Sequence, residues 1–316
     1  MAEIGIDIEK AVHLLEQNEL VAIPTETVYG LAGNALSKTA VTKIFTVKNR
    51  PQFDPLIVHV PDLMKAEEYV SEIPEQARLL ADKFWPGPLT LLLKKKSKIP
   101  DLVTAGLDTV GIRCPNHPLT RQLLQALPFS LAAPSANPFG YVSPTKPEHV
   151  EEQLGGKIQY ILDGGTCAVG IESTIVGFEN ATPVIYRLGG LSLERIEKTI
   201  GKVNLMTHST SNPKAPGQLK SHYAPGKKVF LGTIEELLQQ YPAHCSGILT
   251  FQKDFNSPFQ FILSPAGSLE EAAQNLFEAL RSFDKMPVDV ILAELVPHVG
   301  LGRAINDRLQ RAAVNS

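Results

Sequence analysis

The chain has 316 residues, 43% of them apolar and 20% charged, with a net charge of −3. That make-up belongs to a soluble globular protein long enough for two cores, and the charge excludes a dedicated nucleic-acid coat, so any anion binding must be local. Cys114, Cys167 and Cys245 are far apart and form no CxxC, which excludes a zinc signature and a disulfide framework.

The N-terminus carries acids early and no run approaches membrane-spanning length, so neither a signal peptide nor a span is expected, and the predicted location is cytoplasmic. Glu9 to Gln17 has helical spacing, and Leu20 to Ile23 reads as a strand. In the following PTETVYGLAGNA, an extended reading puts Thr25, Thr27 and Tyr29 on one side, beside Gly30 and Gly33. Such a row either lines a small polar substrate or forms an ordinary strand face.

Val41, Ile44 and Phe45 share a helix side that ends at Lys48, Arg50 and Pro51, because proline cannot continue a helix. Two cations at a helix C-terminus suit the helix dipole, or they begin an anion pocket. Leu56 to Val60 is strand-like, with Leu56, Val58 and Val60 on one face and Ile57 and His59 on the other. His59 is either a satisfied core residue or part of that pocket.

Glu75 to Phe84 predicts a helix stopped by Pro86-Gly87-Pro88, and Leu89 to Leu93 a strand ending in three solvated lysines. In Thr109 to Cys114, Val110 and Ile112 face a core, while Thr109, Gly111 and Arg113 face the other way with the glycine as open floor. An arginine on a rigid strand suits either bidentate binding of a carboxylate or phosphate, or a structural salt bridge. Pro118 to Ala126 is helical, and the strand Phe129 to Ala133 breaks into Pro134-Ser135-Ala136-Asn137-Pro138, a binding-loop composition continued by Ser143-Pro144-Thr145. Lys146 to Leu154 returns to helix. Strands follow at Tyr160 to Asp163, Ile171 to Val176 and Val184 to Leu188, the last bearing Arg187, before a helix over Leu193 to Ile200.

Residues 206–228 lack an apolar period, are rich in Pro, Gly, Ser and Thr, and hold Lys214, Lys220, Lys227 and Lys228 but no acid. The composition predicts a linker, and the charge bias a lid over a polyanion. Beyond it, strands near 229–231, 247–251, 259–263 and 288–292 alternate with helices over 234–240, 269–283 and 302–313, which predicts a small parallel α/β domain without chemistry of its own. No Walker loop, dinucleotide glycine motif, nucleophile elbow or HExxH occurs, so a nucleotide would need another architecture.

Taken together and in order, PTETVYGL, KxRP with PLIVHV, FWPGPLT, VGIRCP, APSAN, SPT, GIESTI and YRLGG resemble the YrdC-like family in its two-domain form. The resemblance implies an α/β fold: a twisted, mostly parallel or mixed sheet with a concave cavity over 1–205, a basic linker or lid over 206–228, and a smaller Rossmann-like α/β domain over 229–316. It implies an L-threonylcarbamoyladenylate synthase, which condenses L-threonine, bicarbonate and ATP to threonylcarbamoyl-AMP and pyrophosphate as the first step of a tRNA modification. Implied partners are downstream tRNA threonylcarbamoyl-transfer proteins, with at most a weak contact to tRNA and none to membrane.

Carried over by motif position, Thr27, His59, Arg113, Ala133 and Ser173 would bind L-threonine. Arg50, Asp54, Thr109, Ser135, Asn137, Ser143, Arg187 and Tyr223 would bind ATP. Lys48 and Arg50 would be catalytic through charge, with Mg²⁺ held mainly by the ATP phosphates and no protein metal site. Asp54 departs from the family, which commonly has Asn there. The competing reading is a non-catalytic binder of double-stranded RNA or tRNA using the same basic concave surface; the acidic balance and the scarcity of aromatic platforms count against it.

Overall fold

The structure is a computed structural model and describes residues 1–207, 213–218 and 223–313. Among these, eleven strands form one mixed sheet, in the order Glu3–Gly5, Tyr160–Leu162, Val21–Ile23, Gly30–Asn34, Leu131–Ala132, Ile57–His59, Thr109–Arg113, Leu89–Lys94, Thr174–Glu179, Thr182–Arg187 and Asn204–Leu205. A second sheet of four strands is parallel throughout, in the order Lys228–Leu231, Val290–Ala293, Ser246–Thr250 and Gln260–Ile262. No helix among the described residues is long and apolar enough to cross a membrane.

Helix ends follow local chemistry. Asp7 and Ser37 accept the backbone N–H groups of Lys10 and Ala40, and Pro118 and Pro147 start their helices where an unpaired N–H is missing anyway. The helix Lys38–Lys48 ends on Asn49 in the left-handed region, φ 51°, which swings Arg50 back toward the sheet.

Register places the polar residues of the central strands side by side. His59 pairs opposite Arg113, and Arg113 opposite Thr90 on its other neighbour. Val58, Val110 and Ile112 enter the main core on the reverse face, packed by the helices, as the alternation of the strands requires. The floor beside Gly111 is not open as predicted: a Cβ there would meet Thr90 Cγ2 at 3.2 Å and Ile57 Cγ1 at 3.4 Å.

The stretch predicted as an extended Thr25/Thr27/Tyr29 row is a turn. The Thr25 hydroxyl accepts from the N–H groups of Thr27 and Val28 and donates to the Val28 carbonyl, so the side chain competes with strand pairing.

The two domains are closely docked. Helices Leu269–Lys285 and Gly302–Ala313 of the second domain share a core with Val28, Val142 and Ile171 of the first. Arg281 donates to the Val142 and Ser143 carbonyls, and Tyr141 to Asp284. Gly170, at φ 78°, lies where a Cβ would stand 2.4 Å from Gln274 Cα, so only glycine lets the helix backbone come this near. The strand Asn204–Leu205 pairs with Val184–Ile185 and so belongs to the first sheet.

Candidate active site

A small hollow of about 50 Å³ opens on the polar face of the large sheet. Ile57, His59 and Arg113 come from two central strands, Ala133, Pro134 and Ser135 from the loop after Leu131–Ala132, Glu172 and Ser173 from the turn before Thr174, and Arg187 from the end of its strand. Arg50 and Pro55 close one side. Pro216, Gly217 and Tyr223 of the predicted lid complete the wall.

Three guanidinium groups therefore converge on one space, all buried. Arg50 donates to the Asp54 and Pro55 carbonyls and pairs with the Asp54 carboxylate at 3.0 Å. Arg113 pairs with Glu26 at 2.8 Å, and its Nε is buried without a hydrogen bond. Arg187 differs from both: its contacts are the Ser173 carbonyl at 3.0 Å, the Ser173 hydroxyl at 3.1 Å and the Pro216 carbonyl at 3.5 Å. All three hydrogen-bonding partners of Arg187 are neutral, and burial lowers its pKa from the ordinary arginine value, as it does for Arg50. A hollow built this way favours an anion.

His59 stays neutral. Burial first, and then Arg113 beside it, depress its pKa to about 3. Because the folded value lies below the unfolded one, its contribution to stability is complete above pH 6.5 and is lost as the pH falls toward about 3. Proton NMR of the His59 ring should accordingly show no titration between pH 8 and 5; a midpoint near its unperturbed value would refute the buried, neutral assignment.

The sequence-predicted residues divide by placement. Arg50, His59, Arg113, Ala133, Ser135, Ser173, Arg187 and Tyr223 line the hollow. Lys48 does not: its ammonium, almost fully buried, donates to the Ser135 carbonyl at 2.5 Å and to that of Asn137. It ties down the Pro134–Pro138 loop from behind, and burial and Arg50 hold its pKa well below the ordinary lysine value. Asn137 uses its amide N–H₂ on the Pro138 and Tyr141 carbonyls. Thr27 bonds the Thr25 hydroxyl at 2.8 Å, and Ser143 donates to Glu172 at 2.5 Å. These four stand one layer behind the surface of the hollow. Thr109 lies on a separate hollow with Lys94, Asp108, Tyr186 and Lys214, because its strand carries it four residues away from Arg113.

Asp54 is fully buried and sits behind Arg50, not on the lining. Burial pushes its carboxyl above the ordinary range, and Arg50, Lys48 and Arg187 pull the other way. As Asp54 offsets part of the Arg50 charge, Asp54→Asn should tighten ATP binding several-fold, read by calorimetry. An unchanged affinity would remove Asp54 from any part in nucleotide binding.

Contrary to the charge bias expected of a lid over a polyanion, neither Lys214 nor Lys227 lines the hollow. Lys214 pairs with Glu179 on the surface, and Lys227 donates to the Met286 and Val288 carbonyls. Lys220, with 208–212 and 219–222, lies outside the described residues. What closes the hollow is apolar and backbone: Ala215 packs among Ile57, Leu92, Ile175, Val184 and Tyr186, next to Pro216 and Gly217.

The family model for Sua5/YciO/YrdC proteins, described as "Telomere recombination", matches residues 13–189. The chain belongs to the Sua5/YciO/YrdC family. A second model, "Threonylcarbamoyl-AMP synthase, C-terminal domain", matches residues 191–314, so the two-domain form of the family spans this chain. Among curated relatives, the threonylcarbamoyl-AMP synthase of Pyrococcus abyssi is 42% identical over 97% of this chain and 94% of its own length. That of Bacillus subtilis is 41% identical over 97% and 92%. The crystal structure of P. abyssi Sua5 complexed with L-threonine superposes with a TM-score of 0.92 at 40% identity, covering 99% of this chain and 98% of that one.

Within this family fold, Glu26, Glu172, Pro216 and Gly217 are site residues that sequence reasoning did not select. Glu26 and Glu172 stand inside the PTETVYGL and GIESTI blocks, next to residues that were chosen. A carboxylate beside a predicted anion site was the available signal, since a buried guanidinium is often paired with one, as Arg113 is with Glu26 and Arg308 with Glu172.

Proposed function

We propose that this chain is an L-threonylcarbamoyladenylate synthase that joins L-threonine, bicarbonate and ATP to give threonylcarbamoyl-AMP and pyrophosphate. The observation that carries the reading is the convergence of Arg50, Arg113 and Arg187 on one hollow, in a chain alike over nearly its whole length to threonylcarbamoyl-AMP synthases.

The chemistry needs what the hollow offers. The threonine nitrogen bonds to the bicarbonate carbon with loss of water, and a carbamate oxygen then attacks the α-phosphorus as the bond to pyrophosphate breaks. Both reactants are anions, and two like charges about 4 Å apart repel by roughly 4 kcal/mol at an effective dielectric near 20. Fixed guanidiniums offset that repulsion where charge accumulates. Arg113, with its free Nε, takes the threonine carboxylate, beside neutral His59, Ser173 and the Ala133 backbone. Arg50, Arg187, Ser135 and Tyr223 hold the nucleotide, while Thr27, Asn137, Ser143 and Lys48 brace the walls.

Mg²⁺ fits as a passenger of the triphosphate. Among the described residues no three His, Cys, Asp or Glu side chains come together. Asp54, paired with Arg50 and absent from the lining, is not placed to hold the ion. When bound, the ion would neutralise phosphate oxygens. The product would pass to tRNA threonylcarbamoyl-transfer proteins.

The deciding experiment is pyrophosphate release from ATP by the full chain. Release that requires both L-threonine and bicarbonate is expected. A nucleic-acid binder would release none, and an enzyme of carbamoyl phosphate would not need threonine.

A further inference from the structure

Among the described residues, the second domain puts none of its own sheet or helices on the lining of the hollow, yet it reaches two residues that are there. Arg308, on the helix Gly302–Ala313, is completely buried at the domain boundary. Its Nε donates to Glu172 Oε2 at 3.1 Å, and its Nη1 to Asp307 Oδ2 at 2.7 Å. The other Glu172 oxygen accepts the Ser143 hydroxyl at 2.5 Å. The Glu172 side chain is thereby fixed from both ends, one residue before Ser173, which in turn holds Arg187.

Arg308 also lies over the Tyr223 ring, 4.9 Å from its centroid, while Phe277 of the second domain stacks at 5.6 Å. Tyr223 is buried with φ 64°, a backbone setting that a bulky residue keeps only when its surroundings impose it. The next turn of the same helix contributes Arg311, which binds Asp307 at 3.0 Å and the Thr207 carbonyl at 2.8 Å, where the linker begins.

We propose that Arg308 is a positioning residue for the nucleotide side of the hollow, acting across the domain boundary through Glu172 and Tyr223. The second domain thus completes the site without touching substrate. This rests on the synthase reading for which side of the hollow holds nucleotide. A cation is needed because the Glu172 carboxylate, buried between Ser143 and Arg308, has Arg308 as its ion-pair partner at 3.1 Å. The planar fork is needed because one guanidinium serves Glu172, Asp307 and a ring face at once.

The test compares Arg308→Gln, Glu172→Gln and the double variant in the full chain. Apparent KM values for ATP and threonine are read in the pyrophosphate assay, and ATP affinity separately by calorimetry. Each single variant should raise the KM for ATP by about tenfold with the threonine KM unchanged, and the double should match the worse single variant, the non-additivity of residues acting as one unit. Fully additive effects, equal rises for both substrates, or a lowered melting temperature with the KM for ATP unchanged would overturn the proposal. If Arg308→Gln does not fold, Glu172→Gln, which keeps the side-chain shape, carries the same expectation from the other partner. A wild-type chain that binds ATP but releases no pyrophosphate would remove the synthase reading alone, and calorimetry on the same variants would still decide whether Arg308 governs nucleotide binding.

Discussion

Replacing Arg187 by alanine is expected to lower kcat/KM for ATP in threonine-dependent pyrophosphate release by about two to three decades, the loss that follows removal of one preorganised charged donor. Arg187 is the cation to choose because its contacts are the Ser173 carbonyl and hydroxyl and the Pro216 carbonyl, all neutral. The other two cavity arginines already face carboxylates, Asp54 and Glu26. Arg187→Lys keeps the charge but not the three-way hold, so it should fall between the two. A wild-type rate in the alanine variant would take Arg187 out of the phosphate-binding role.

Arg113→Gln is expected to act on the other substrate, raising the KM for threonine by about one to two decades, the scale of a lost charge-assisted contact to a carboxylate. The geometry is specific: Nη2 is occupied by Glu26, while Nε is buried without a hydrogen bond beside His59. ATP binding measured without threonine should change little. If threonine binding survives intact, the carboxylate is held elsewhere and Arg113 is only the partner of Glu26.

Periodicity located the longer elements because burial imposes it. The helices Glu75–Phe84, Pro118–Ala126 and Leu193–Ile200 coincide with the expected spans. Short elements escaped, such as the strands Glu3–Gly5 and Asn204–Leu205 and the helices Leu63–Glu67 and Asp101–Thr104. Two to five residues are too few to show a period, and the strand Glu3–Gly5 is defined by a partner, Tyr160–Leu162, far along the chain. The turn at Thr25–Val28 escaped for a different reason: one hydroxyl satisfies the backbone groups that a strand would have used.

At the site, strand alternation was enough to aim His59 and Arg113 the same way, but not to tell a residue on the surface of the hollow from one behind it. Lys48 shows the difference. Its charge was legible, whereas its carbonyl partners at Ser135 and Asn137 lie roughly ninety positions downstream. Arg308 left a fainter trace, a cation four residues after Ala304 and four before Ala312 on an otherwise apolar helix stripe. A charge in that position announces burial and a partner, without naming Glu172.

The difference between Lys48 and the arginines around the hollow also bears on self-inflicted damage. A carbamic–phosphoric mixed anhydride carbamoylates free amines with loss of AMP, and a lysine facing it would consume product and block the enzyme. Among the described residues, the cations that line the hollow are guanidiniums, which stay protonated and are poor nucleophiles, while the neighbouring Lys48 amine is wrapped in loop carbonyls. The enclosure of Lys48 thus lets the enzyme hold an acylating agent without becoming its target.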